Sequence, residues 1–246
     1  MSQTILSRAF TVIDAISKSA EGLRFSEVAK VLDNPSPTTV NKILKELVHA
    51  DVLEKTPSGR YALGWKIYFW GRAMGRKNEP IQYIREHMRR LYETFHASIN
   101  LFTCVDDRMF CLESFMDPES PSLWQAGQSL ELRLPVLGAI FFIPPDRLRD
   151  DAFIENELQR HRHPVSPEDV LRMIDRAAST GVQNDFALFY PGIHRFSVPL
   201  REKGRTVMAL GLGIMPARLA EDGLETRIVD ALLDAQYKIE DIMNEN

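Results

Sequence analysis

The sequence predicts an α+β chain in two parts: an N-terminal winged helix-turn-helix, then, after a linker helix, a larger domain with an antiparallel sheet. Three observations predict it. Helical apolar periodicity runs through three short segments before residue 50, and two short strand patterns follow within 52–63. Beyond residue 97, strand-like runs mix with amphipathic helices. A length of 246 residues suits two modest domains. The 44% hydrophobic and 26% charged residues are ordinary for a globular protein and argue against a disordered or fibrous chain. The longest apolar run, 132–145, contains Arg133 and ends in Pro144-Pro145, short of the roughly 18–20 residues a bilayer span needs. Residues 1–10 lack the apolar stretch of a secretory signal, and two cysteines, Cys104 and Cys111, are too few for a disulfide framework. A soluble, cytoplasmic protein is expected.

The first element is a helix over 5–19 with Ile5, Ala9, Val12, Ile13 and Ile16 on one face; Gly22 ends the pattern. A second helix covers 26–32, with Val28, Ala29 and Leu32 inward. Pro37 then suits the first turn of a third helix, where its missing N–H would be unpaired anyway, and Ser36 can cap that turn. Val40, Ile43, Leu44, Leu47 and Val48 form its buried stripe. Its start and opposite face carry Thr38, Thr39, Asn41, Lys42 and Lys45, groups that reach base edges and phosphates when a helix lies in a major groove. For a lone helix this pattern equally describes a solvated face; as the third of three helices it reads as a recognition helix. Residues 52–55 and 60–63 are strands joined by Thr56-Pro57-Ser58-Gly59, a wing with Lys55 and Arg60 available for backbone phosphates.

Charge supports the division. Residues 1–77 hold twelve Lys and Arg against seven Asp and Glu, an excess of five positive charges, whereas the remainder holds 18 against 27. A basic end on an acidic body suggests that only the first domain meets a polyanion, although chance clustering gives the same count.

These residues resemble a known family. Ser7-Arg8-Ala9, Val12-Ile13, Gly22-Leu23, Glu27-Val28-Ala29, the stretch Thr39-Val40-Asn41-Lys42-Ile43-Leu44-Lys45-Glu46-Leu47, and Gly59-Arg60-Tyr61-Ala62-Leu63-Gly64 are similar to the IclR-type transcriptional regulators. The resemblance implies a DNA-binding domain over 1–64, a linker helix over 65–79 and a GAF/profilin-like effector-binding domain over 80–246. It also implies a homodimer or tetramer on a palindromic operator in double-stranded DNA. In the linker, Trp65, Ile67, Tyr68, Phe69, Trp70, Ala73 and Met74 are too broadly distributed for one core stripe. They pack against the chain's own first helix or, as the resemblance favours, against a second copy. Asn78-Glu79-Pro80 ends that helix.

In the second domain the periodicities predict a helix over 81–95, a hairpin of strands 98–105 and 109–115 about Asp106-Asp107-Arg108, and a helix capped at Ser166 that ends at Gly181. Strands at 195–200 and 206–215 turn at Glu202-Lys203-Gly204-Arg205, and a last helix covers 224–243.

Catalytic signatures are missing from the sequence: there is no nucleophile elbow, no H-E-x-x-H and no P-loop. Gly211-Leu212-Gly213 lacks the third glycine of a dinucleotide fingerprint, and His161 with His163 lacks further metal ligands at suitable spacing. No cofactor and no catalysis are expected. The resemblance instead places an effector pocket over the sheet, with Val136 and Leu137 at its ligand-facing backbone, Asp185 at a carboxylate position, Arg195 where a cysteine is frequent, and Gly211 and Gly213 where serines are frequent. A guanidinium only donates and its fork suits a carboxylate, so the expected effector is a small organic acid held by Arg195 with help from Asp185. The alternative is an Arg195–Asp185 ion pair that fills the site; Trp124, Arg133 and Phe141 are further lining candidates. Other functions remain open: an enzyme using Asp185 and His194 as acid and base, or a winged-helix module for protein contacts.

Overall fold

The computed structural model describes residues 4–73, 79–120, 122–161 and 163–245. The chain divides into two compact units, Met1–Asn78 and Glu79–Asn246.

The first unit holds α1 (Ile5–Ser17), α2 (Phe25–Val31), α3 (Pro37–His49), the hairpin β1 (Leu53–Lys55) and β2 (Tyr61–Leu63), and α4 (Trp65–Ala73). The starts of α1, α2 and α3 are explained locally. Thr4 accepts a hydrogen bond from the Ser7 N–H, the Glu27 carboxylate accepts from the Arg24 N–H at 2.7 Å, and Ser36 caps α3 through the Thr39 N–H. Asp33 and Asn34 both take left-handed backbone conformations in the α2–α3 turn. Val12, Ile16, Val28, Leu32, Val40, Ile43, Leu44, Leu53 and Tyr61 make the core. Ile5 departs from the expected buried face: it is exposed, as are its neighbours Leu6 and Phe10, because α1 begins beyond the edge of that small core. Gly22, with φ +75°, lies so close to the Tyr61 carbonyl that a Cβ there would collide, and this lets Leu23 pair with Tyr61 as a third edge to the wing. Of the predicted linker helix, 65–73 is α4; Met74 and the rest of its end, through Asn78, lie outside the described residues. Glu79 and Pro80 form the first turn of the next helix, where proline is tolerated.

The second unit carries a six-stranded antiparallel sheet in the order β5-β4-β3-β8-β7-β6. Its elements are α5 (Glu79–Phe95), β3 (Ser98–Val105), β4 (Arg108–Phe115), β5 (Ser129–Glu131), α6 (Asp151–Gln159), α7 (Pro167–Thr180), β6 (Gln183–Asn184), β7 (His194–Glu202), β8 (Arg205–Ile214) and α8 (Leu224–Glu245). The β7–β8 turn has Lys203 and Gly204 at positive φ, matching the twist of a two-residue hairpin. Three elements escaped the periodicity: β5 and β6 are too short to show alternation, and α6 spans little more than two turns. No helix among the described residues is long and apolar enough to cross a membrane.

Two-residue alternation sorts the sheet into two faces. Ile99, Leu101, Phe196, Val198, Leu200, Leu210, Leu212 and Ile214 pack with α5 and α8. Asn100, Phe102, Arg195, Ser197, Ala209, Gly211 and Gly213 turn to the other face, which meets the 134–154 segment and α7. Register places Gly211 between Asn100 and Ser197, and Gly213 between Ser98 and Arg195. Of the predicted pocket residues, Arg195, Gly211 and Gly213 therefore share one face of β7 and β8, while Val136, Leu137 and Asp185 belong to segments outside the strands.

Candidate functional site

On α3, Ser36, Thr38, Asn41, Lys42 and Lys45 are exposed, Thr39 is half-buried, and Val40, Ile43 and Leu44 are buried. The Ser36 hydroxyl also bonds the Thr39 hydroxyl at 2.9 Å, so this pair stiffens the helix start. The polar ridge and the open N-terminus together form a surface suited to phosphates and base edges. On the wing, Lys55 is exposed, 5.8 Å from the Tyr61 ring centre. Arg60 is turned the other way. Its Nη1 donates to the Gly22 carbonyl at 2.9 Å and lies 3.4 Å from Glu27, so it ties the wing to the start of α2. The structure thus gathers Thr38, Asn41, Lys42 and Lys45 on one helix and engages Arg60 internally.

In the second unit, Arg195 and Asp185 are both buried, at 2% and 0% exposure. Arg195 Nε donates to Asp185 Oδ2 at 2.5 Å, the Arg195 backbone N–H donates to Oδ1 at 2.8 Å, and Nη1 donates to the Pro135 carbonyl at 3.0 Å. Oδ1 also accepts from the Ala187 N–H. Mutual neutralisation and these bonds offset the desolvation of both charges. The guanidinium carbon lies 4.7 Å from the Tyr190 ring centre and 5.5 Å from that of Trp124. Trp124 is fixed by its own carbonyl, which accepts from Asn100 Nδ2 and the Ser122 hydroxyl.

Val136 and Leu137 are buried in the apolar layer over the sheet. The turn after them is pinned by Gln183, whose Oε1 accepts from the Gly138 N–H and the Ser197 hydroxyl. A Leu137 δ-methyl occupies the place that a Cβ on Gly211 would take, and Ile193 presses on the same place at Gly213. The two glycines thus make room for this chain's own side chains. Arg133 is held by Glu157, which is itself buried and also accepts from the Leu134 N–H. That contact anchors the turn carrying the Pro135 carbonyl. Phe141 packs at the rim of the apolar layer.

Pro135, Tyr190, Gln183 and Glu157 were not legible as site residues, since a carbonyl, a loop aromatic and two lone polar residues have no spacing signature. Tyr190 alone carried a hint, as an aromatic beside Pro191-Gly192 close to Arg195. His194 lies on the opposite strand face from Arg195, stacked on Phe196, with its Nε2 hydrogen-bonded to Asn184. It does not pair with Asp185, and burial holds its pKa below the usual histidine value. Cys104 and Cys111 are free and sit opposite Met109 and Phe102 respectively; burial pushes the Cys111 thiol up to about 11. His161 and His163 contact each other, and among the described residues no group of three or more His, Cys, Asp or Glu is placed to hold a metal ion.

Residues 5–57 match the family model of the IclR helix-turn-helix domain. No curated protein matches the chain. Among solved structures, the Thermotoga maritima IclR superposes with a TM-score of 0.72 at 18% identity, covering 97% of this chain and 98% of that one. An IclR transcriptional regulator from Alicyclobacillus acidocaldarius gives 0.69 at 19% identity, with 99% and 100% coverage. An IclR homologue from Microbacterium hydrocarbonoxydans, complexed with 4-hydroxybenzoate, gives 0.71 at 18% identity, with 98% and 99% coverage. Residues 5–57 are thus similar to the IclR helix-turn-helix domain, and along nearly its whole length the chain has the fold of these solved regulators.

Proposed function

We propose that this chain is a sequence-specific DNA-binding transcriptional regulator whose second unit senses a small organic acid. The observation that carries it is α3: Thr38, Asn41, Lys42 and Lys45 face outward while the aliphatic ridge is buried, within a segment that matches the IclR helix-turn-helix domain. In this reading residues 1–64 read DNA, 65–79 form the linker and 80–246 bind the effector. Ser36 and Thr39 set the helix start, Thr38 and Asn41 meet base edges, and Lys42, Lys45 and Lys55 meet phosphates. Arg60 supports the wing.

A palindromic operator requires two readers. The exposed Trp65, Tyr68, Phe69 and Trp70 of α4, with Ile5, Leu6 and Phe10 of α1, supply an apolar surface for a second copy. For the effector, the buried Arg195 cation beside Asp185, Val136 and Leu137 supports an acid, as does the 4-hydroxybenzoate of the Microbacterium homologue. An acid that favours one of two arrangements of the second unit would shift operator affinity by its differential binding free energy. Catalysis has no part in this reading, and the protein works where bacterial DNA is, in the cytoplasm.

Selection of bound fragments from a random DNA pool tests it: a palindromic motif is expected, with affinity falling steeply as salt rises. Binding without sequence preference, or indifferent to salt, would favour a protein-contact module instead.

A further inference from the structure

The guanidinium of Arg195 is enclosed yet incomplete. Nε and Nη1 are engaged by Asp185 and the Pro135 carbonyl, while Nη2 is buried without a hydrogen-bond partner. A buried donor left unpaired raises the free energy of the folded state, so an incoming acceptor gains more there than at a solvated arginine. The cover over this group is aromatic. Tyr190 lies against the guanidinium and meets Trp124 edge to face at 5.9 Å. Tyr190 and Ile193 also line a surface cleft of about 260 Å³ together with Leu123, His163, Pro191 and Gly192. Gly192, at φ +107°, gives the Tyr190-Pro191-Gly192 loop a backbone conformation that other residues rarely adopt. Cleft and guanidinium therefore both border Tyr190.

We propose that Arg195 Nη2 anchors the carboxylate of a small planar monocarboxylic acid, which reaches it from this cleft by displacing the Tyr190 ring. The proposal rests on the effector reading above and specifies its ligand and its route. One free nitrogen serves one carboxylate. The Asp185 charge bonded to Nε disfavours a dianion, and phosphate would find too few donors. With its carboxylate on Nη2, a planar body can fill the space the Tyr190 ring vacates beside Trp124. The cleft is smaller than the roughly 300–1,000 Å³ of drug-sized sites, which limits that body to about one ring.

The test is calorimetric titration of the full-length protein with benzoate, cyclohexanecarboxylate, phthalate and inorganic phosphate, using wild type, Tyr190→Ala and Arg195→Lys. Benzoate is expected to bind wild type at least about tenfold more tightly than the other three. Tyr190→Ala should bind it about tenfold more tightly still, because no ring has to be displaced, and Arg195→Lys should weaken it by about tenfold or more. Equal affinity for phthalate or phosphate, unchanged benzoate binding in Tyr190→Ala, or no benzoate binding to wild type and Tyr190→Ala alike would overturn the proposal. Should Arg195→Lys fail to fold, the ligand series and Tyr190→Ala still decide. Operator binding that responds to a non-carboxylate metabolite, with benzoate inert, sinks this proposal and leaves the effector reading standing. Benzoate bound through Arg195 with operator affinity unmoved does the reverse.

Discussion

Asp185→Asn isolates the buried ion pair. Asparagine in the same rotamer keeps an oxygen for the Arg195 and Ala187 backbone N–H groups, now at 2.8 and 3.2 Å from Oδ1. It replaces Oδ2 with an NH2 facing Nε–H, so donor meets donor, and Arg195 becomes an uncompensated cation at 2% exposure. Breaking such a pair costs about 3–5 kcal/mol. With an m-value near 2 kcal/mol/M, the urea midpoint of the second unit falls by about 2 M. Arg195→Met should cost less, because Asp185 keeps its two backbone donors. The double variant should be no worse than Asp185→Asn alone, giving a coupling of about 2 kcal/mol or more. Trp124 emission is the readout, measured in a Trp65→Phe/Trp70→Phe background so that only the residue buried at 8% exposure reports on the second unit. Additivity within about 0.5 kcal/mol would refute the reasoning, since it would mean the two charges do not stabilise each other.

Three further outcomes follow from the geometry. Lys42→Ala and Lys45→Ala should each reduce the slope of log affinity against log salt by about 1, measured by fluorescence anisotropy on the selected operator, whereas Arg60→Ala should lower the melting temperature of the first unit and leave that slope nearly unchanged. Gly211→Ala should destabilise the second unit by about 1–3 kcal/mol in chemical denaturation through collision with Leu137, and Leu137→Ala should relieve part of that added cost. His194 has a folded pKa below its ordinary 6.5, mainly through burial, so the unfolded chain binds the proton more readily. Its cost to stability is absent well above pH 6.5, grows as pH falls through 6.5 and levels off below the folded pKa. The urea midpoint should therefore drop across that window in wild type and drop less in His194→Phe.

Local chemistry made much of the fold legible. Ser36-Pro37 marks the start of α3, Ser166-Pro167 and Gly181 bracket α7, and the strands at β3, β4, β7 and β8 show in their composition. The same logic missed β5, β6 and α6, which are too short for a period to emerge. It misplaced Ile5 as well, because periodicity assigns a face without saying how far the core extends along it. The candidate ligand site was legible only in part. Asp185, Arg195, Gly211 and Gly213 stood out by resemblance, whereas Pro135, Tyr190 and the Gln183 clamp had no signature.

What the sequence determined alone is the set of helices and hairpins, the polar ridge of α3 and the alternation that puts Arg195 and Ser197 on one strand face. Those are properties of residues within a few positions of each other, where caps, turns and periods act. Tertiary structure decided that Arg60 braces the wing, that Leu137 fills the room above Gly211, and that Arg195 is satisfied at two nitrogens and left open at the third. Such outcomes depend on strand register and on groups brought together from distant parts of the chain, as with Arg195 and the Pro135 carbonyl, sixty positions apart. No local preference encodes a meeting at that distance; the packing of the whole sheet against its covering layer does.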